Sequence, residues 1–186
     1  MLKGESAMLE KMERISREMM YKGTILDVYK DTMKFANGKT EEWDFVSHRM
    51  GAAAVLPVLP DGRILMVHQY RNALERETLE IPAGCRDSLT EDTKVSAIRE
   101  LEEETGYRCG KMSYLLSLRT TVAFCDEFVD VYLAEDLTPG EQHLDDSESI
   151  EVEAFELEDL CQMVYSGKIQ DSKTVAAIMA YSNKIK

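Results

Sequence analysis

The chain is predicted to be an α/β protein, a sandwich built on mixed β-sheets. Three observations carry that prediction. Short runs of β-formers broken by turn residues fill the first half. One long helix with distinct polar and apolar faces follows, and two more helices close the chain after further strands. With 186 residues the chain fits one domain with a small N-terminal extension, long enough to bury a substantial core.

Residues 1–20 form an N-terminal arm or a short helix: the composition over 5–20 is helical, which fits either a short, frayed helix or an ill-ordered arm. Residues 21–48 read as a β region. Tyr21–Tyr29 alternates, Asn37-Gly38 is a hairpin turn, and Trp43, Phe45 and Val46 continue the strand pattern. Residues 49–186 form the main domain. Ala52–Val58 is an apolar run typical of a buried strand, Asp61-Gly62 turns the chain, and Ile64–Tyr70 and Thr78–Ile81 are the next strands. Pro82-Ala83-Gly84 breaks the pattern. A helix is expected from about Thr90, as N-cap, to Thr105, with Gly106 as the C-cap glycine. Strands near 111–120, 128–134 and 150–156 precede helices near 157–166 and 171–183.

The formal net charge of −13 repels nucleic acid backbones and anionic membranes, so neither is an expected partner. It also repels a small anionic substrate unless cations are placed locally. Cys85, Cys109, Cys125 and Cys161 form no CxxC and no zinc spacing, so they read as reduced thiols of a cytoplasmic protein. No apolar run is long enough to span a membrane, and the first twenty residues lack the apolar core of a signal peptide.

The chemistry concentrates in Arg99-Glu100-Leu101-Glu102-Glu103-Glu104-Thr105-Gly106-Tyr107. At about 100° per residue, Glu100, Glu103 and Glu104 share one helix face and Glu102 points almost the opposite way. Ala97, Ile98 and Leu101 form the neighbouring apolar face. Three carboxylates on one face repel unless compensated. A solvated face held by ion pairs such as Arg99 with Glu103 is one answer. A hard divalent cation such as Mg²⁺ is the other.

Taken over 24 residues, Gly84 to Tyr107, the pattern resembles the Nudix hydrolase box, G-x5-E-x7-R-E-U-x-E-E-x-G-U with U a bulky apolar residue. Gly84, Glu91, Arg99, Glu100, Leu101, Glu103, Glu104 and Gly106 fall on its fixed positions. Two departures stand out: six residues rather than five separate Gly84 from Glu91, and the last U is Tyr107. The resemblance implies a Nudix α/β/α sandwich and Mg²⁺- or Mn²⁺-dependent cleavage of a nucleoside diphosphate derivative. It implies Glu100 and Glu104 as metal ligands, and Glu103 as a ligand or a residue that helps activate water. It also implies the carbonyl of Ala83 as a further ligand and a bracing pair between Arg99 and Glu91.

Flanking segments resemble the ADP-ribose pyrophosphatase branch of that family: Ile64–Arg71, Leu79–Gly84 and the tail from Ser166. That branch uses an acidic loop after the box. Here Glu148, with Asp146 second, is the candidate base or further ligand, unless the loop is merely solvated. Arg71 could clamp a phosphate or form a surface ion pair. Glu80 could accept from a sugar or base or sit exposed on a strand. Phe124, in a segment where relatives often carry Ser-Pro-Gly, could stack on a base or belong to the core. The branch also implies a homodimer formed through residues 21–48. The expected substrate is ADP-ribose, cut to AMP and ribose 5-phosphate, or a related nucleotide sugar. A dinucleoside polyphosphate, a dinucleotide coenzyme, or a module that senses ADP-ribose without cutting it are the alternatives.

Overall fold

The computed structural model describes residues 12–145 and 148–185. They divide into two compact units, residues 12–49 with Thr121–Asp126, and residues 50–120 with 127–185.

In the first unit, β1 (Glu13–Lys22), β2 (Leu26–Lys34) and β3 (Thr40–His48) form an antiparallel meander in the order β1-β2-β3. Residues 13–20, expected as a short helix or an ill-ordered arm, are therefore strand; residues 5–11 lie outside the described part. The helical composition is overridden by pairing with β2, where the Arg17 fork grips Asp31 at 2.6 Å through both nitrogens and its guanidinium lies 3.8 Å from the Phe45 ring centre. The expected strand over 21–29 is split by a turn at Gly23–Ile25. Arg49 closes that turn, donating to the carbonyls of Gly23 and Thr24 and to Asp27 at 2.8 and 2.7 Å. Asn37-Gly38 makes the second turn, with Gly38 at φ 82°. The Thr121–Asp126 loop docks on the end of β3, where Val46 N donates to Phe124 O at 2.7 Å.

The second unit is the α/β/α sandwich. One sheet has the order β7-β4-β9-β8, from Ala83–Cys85, Ala52–Pro57, Phe128–Pro139 and Tyr107–Arg119. Only β4 and β9 run parallel there, so the sheet is mixed. The other is antiparallel, in the order β10-β5-β6, from Ile150–Phe155, Ile64–Arg71 and Arg76–Glu80. Pro82 does end the β6 run, but the next three residues pair with β4 as β7.

Both faces of the central strands are buried, which is why they read as continuous apolar runs. Along β4, Ala54 and Leu56 join the core with Ile64, Met66, Val131, Leu160 and Ile178. Ala53 and Val55 turn the other way, to Leu65, Ala97, Leu101 and Tyr132. Helix α1 (Thr93–Thr105) covers the second core. Helices α2 (Leu157–Tyr165) and α3 (Ser172–Lys184) supply Leu160 and Ile178 to the first. Among the described residues no helix is long and apolar enough to cross a membrane, and none of the four cysteines is in a disulfide.

Candidate functional site

Helix α1 starts two positions later than an N-cap at Thr90 would place it. The cap is Asp92, whose carboxylate accepts from Lys94 N at 2.8 Å. Thr90 and Glu91 stay in the preceding loop, because Glu91 Oε2 accepts from Asp87 N at 2.6 Å. Gly106 ends the helix at φ 72°, and its N–H reaches Glu102 O at 2.8 Å. Ser96, Ala97, Glu100, Leu101, Glu104 and Thr105 form the buried stripe. Ile98, expected on the apolar face, is 43% exposed, since it sits at the edge of that stripe. Glu102 faces away and pairs with Arg108.

The loop before the helix is pressed onto it. A Cβ on Gly84 would lie 2.1 Å from Glu100 Oε1, so any side chain there would have to displace that carboxylate. Ala83 N donates to Glu104 Oε2 at 3.1 Å. The extra residue between Gly84 and Glu91 is taken up in the loop, where Glu91 N bonds Ser88 O, and leaves this approach intact. Arg99 lies 4.0 Å from Glu91, the outer limit of an ion pair. Its shorter bonds go to Glu100 at 2.7 Å, Glu103 at 2.8 Å and the Cys85 carbonyl at 2.9 Å.

Two carboxylates are thus buried side by side one helical turn apart. Burial pushes Glu100 up to about 7 against the pull of Arg99, with the charges of Glu103 and Glu148 adding to the rise. Burial and the charge of Glu100 push Glu104 up to about 8. A hard divalent cation fits this site in charge and donor type: the groups are all oxygen, two are buried, and their ionised forms oppose each other. Among the described residues no three acidic, His or Cys side chains are already gathered as a cage, and Arg99 holds the oxygens of Glu100 and Glu103 that a cation would take.

The acidic loop is stitched to the end of α1 through carbonyls that the helix leaves unpaired. Gln142 Nε2 donates to Glu104 O at 2.6 Å, His143 N to Glu103 O at 3.0 Å, and Gly140 N to Gly106 O at 2.6 Å. Glu148 Oε2 accepts from Asp145 N at 3.2 Å, and its charge reaches both buried glutamates. Asp146 lies outside the described residues.

Arg71 and Glu80 form one unit rather than two independent contacts. Arg71 Nε and Nη2 donate to the two oxygens of Glu80 at 2.8 and 2.6 Å. Thr78 Oγ1 adds a bond at 2.7 Å and Lys173 Nζ a further one. Glu80 is 2% exposed, so it is neither an exposed strand residue nor a free acceptor: its oxygens are already taken. Burial alone would raise its pKa, but Arg71, Lys173 and Thr78 hold it down at about 2. Arg71 still lines a cavity of about 310 Å³ with Gln69, Tyr70, Glu148, Ser149 and Ile150. Gln69 Nε2 is buried there without a partner among the described residues. Phe124 belongs to the first unit, where it is half exposed and lines a groove with Trp43 and Val46. Sequence reasoning missed Gln69, Gln142 and Lys173. Gln69 beside Arg71 was the only local hint; the others depend on long-range packing.

Residues 48–178 match the NUDIX domain family. The chain is 41% identical to a Bacillus subtilis protein named ADP-ribose pyrophosphatase, over 88% of this chain and 89% of that one. It is 38% identical to a Bacillus methanolicus protein named methanol dehydrogenase activator, with the same coverage. A solved structure described as an ADP compounds hydrolase superposes with a TM-score of 0.86 over 95% of each chain at 19% identity, a likeness of fold. With its box on a loop and helix folded as described, and its match running through most of its length, this chain belongs to the Nudix family.

Proposed function

We propose that the protein hydrolyses the diphosphate of ADP-ribose, or of a closely related nucleotide sugar, to AMP and the sugar phosphate, with Mg²⁺ as the working ion and Mn²⁺ as a substitute. The observation that carries this reading is the buried Glu100–Glu104 pair, whose mutual repulsion calls for a cation. The similarity to ADP-ribose pyrophosphatases of Bacillus subtilis and Mycobacterium tuberculosis supports the substrate class.

Glu100, Glu103 and Glu104 would hold the ion, with the Ala83 carbonyl beside them and Glu148, or Asp146, completing the set. When bound, Mg²⁺ offsets diphosphate charge and lowers the pKa of a water. Glu148 would take a proton from the attacking water; the reading is supported by its charge, which acts on both buried glutamates. Arg71 donates to a diphosphate oxygen from its edge not used by Glu80. Gln69 lines the same cavity. Four cysteines outside any disulfide suit a reducing, cytoplasmic setting.

The test is a turnover panel of ADP-ribose, nucleotide sugars, dinucleoside polyphosphates and dinucleotide coenzymes, with and without Mg²⁺, with products identified by mass. AMP and ribose 5-phosphate formed from ADP-ribose only with Mg²⁺ is the expected result. Preference for a dinucleoside polyphosphate would discard the substrate and keep the chemistry. Binding of ADP-ribose without any turnover would replace the enzyme by a sensor.

A further inference from the structure

Lys173 stands in the first turn of α3, next to the N-cap Asp171, whose carboxylate accepts from Thr174 N at 3.0 Å. A cation there opposes the helix dipole, and its side chain is only 12% exposed. Both features are unfavourable for a lysine that serves only to pin a helix, a task an apolar residue performs without them. The ammonium is held by two carboxylates, Asp171 at 2.9 Å and Glu80. On Glu80 it is the fourth donor: Arg71 Nε and Thr78 serve one oxygen, Arg71 Nη2 and Lys173 the other. Four donors fill the acceptor sites of a carboxylate, so Glu80 cannot rotate without breaking charged bonds.

The consequence falls on Arg71. Two of its nitrogens are fixed by Glu80, and Nη1 has no partner among the described residues. The residue lines the cavity that also holds Glu148, and its charge is felt by Glu104, as is that of Lys173. The cluster balances two cations, Arg71 and Lys173, against two anions, Glu80 and Asp171. Without Lys173, Arg71 alone would answer both carboxylates. Asp171 lines a separate cavity with Arg71 and acts on it electrostatically, so the guanidinium would be drawn towards Asp171 and away from the cavity that holds Glu148.

We propose that Lys173 is a positioning residue of the hydrolase, which locks Glu80 so that the free edge of Arg71 stays presented to the diphosphate. The inference rests on the reaction proposed above. The experiment is a double-mutant cycle on ADP-ribose hydrolysis with Mg²⁺: wild type, Lys173→Met, Arg71→Ala and the double variant, with melting temperatures alongside. An Arg71 contact made in ground and transition state alike appears in KM. Lys173→Met is therefore expected to raise KM about tenfold, with kcat changed less than about threefold. In the Arg71→Ala background it should add less than about twofold. A variant that melts lower but keeps wild-type KM and kcat overturns the proposal, as does an undiminished effect in the Arg71→Ala background. Should Lys173→Met not fold, Lys173→Gln, which keeps an N–H donor, is read by the same criteria. If the wild type cuts no ADP-ribose, the proposed reaction fails by itself, and the cycle is read on ADP-ribose affinity by calorimetry.

Discussion

Glu104 and Glu80 are both buried carboxylates, yet their surroundings push them in opposite directions. Glu104 has one backbone donor and another carboxylate for company, and rises to about 8. Glu80 has two cations and a hydroxyl, and sits at about 2. The first is unstable as an anion unless a cation joins it; the second is a permanent anion. Glu104→Gln is expected to lower turnover by at least about a hundredfold. The metal-free fold should melt at the same temperature or higher, and the Mg²⁺-induced rise in melting temperature should shrink or vanish. Wild-type rates in this variant would remove Glu104 from the metal site. For Glu80 the folded value lies below the ordinary 4.5, so its stabilisation is complete above pH 4.5 and is lost as pH falls towards 2. The shift corresponds to about 3 kcal/mol. Denaturant titrations of wild type and Glu80→Gln should show a gap at pH 7 that narrows by pH 3. A gap independent of pH would mean that Glu80 acts by packing alone.

At the level of the element, α1 has to do two things. It must bury an apolar stripe against β4, and it must present carboxylates to the loop that precedes it. Its start therefore matters. With Asp92 as cap, Asp92→Ala should cost about 1 kcal/mol, while Thr90→Ala should cost close to nothing. Thermal or urea melts of the two variants check this, and the reverse order would restore the cap to Thr90. The end of the helix matters for a different reason. Its unpaired carbonyls are the anchors for Gln142 and His143, so the acidic loop carrying Glu148 is positioned by the helix that carries the other glutamates. Chain order separates these groups by more than forty positions, but the helix terminus joins them.

For the whole molecule, the first unit raises the question of what covers it. Its three-stranded sheet has β1 at one edge, exposed along its entire length. Ile15, Met19, Met20 and Tyr21 on that strand are each about half exposed or more. A small sheet with an open apolar edge strand is marginal alone and prone to pair. We propose that a second copy covers it, making a homodimer. Light scattering should give twice the chain mass, and Ile15→Lys combined with Met19→Lys should shift the population to monomer. A monomeric wild type at tens of micromolar, a concentration at which a specific dimer persists, would sink the proposal.

By itself the sequence determined the class of fold, the run of elements in residues 49–186 apart from the short β7, and the helix face bearing Glu100, Glu103 and Glu104. These follow from periodicity and spacing, which are local properties of the chain. It misplaced the start of α1 because Thr90, Glu91 and Asp92 are all plausible there, and the choice rests on where Glu91 finds an N–H. It read residues 13–20 as a short helix or an ill-ordered arm because composition carries no information about a partner strand. Only the tertiary structure decided that Gly84 and Glu100 are in contact, that Glu80 is saturated, and that Lys173 completes it from 93 positions away. Burial, and the pKa that burial sets, are properties of a neighbourhood. A neighbourhood assembled from distant segments is fixed by packing, not by the order of residues along the chain.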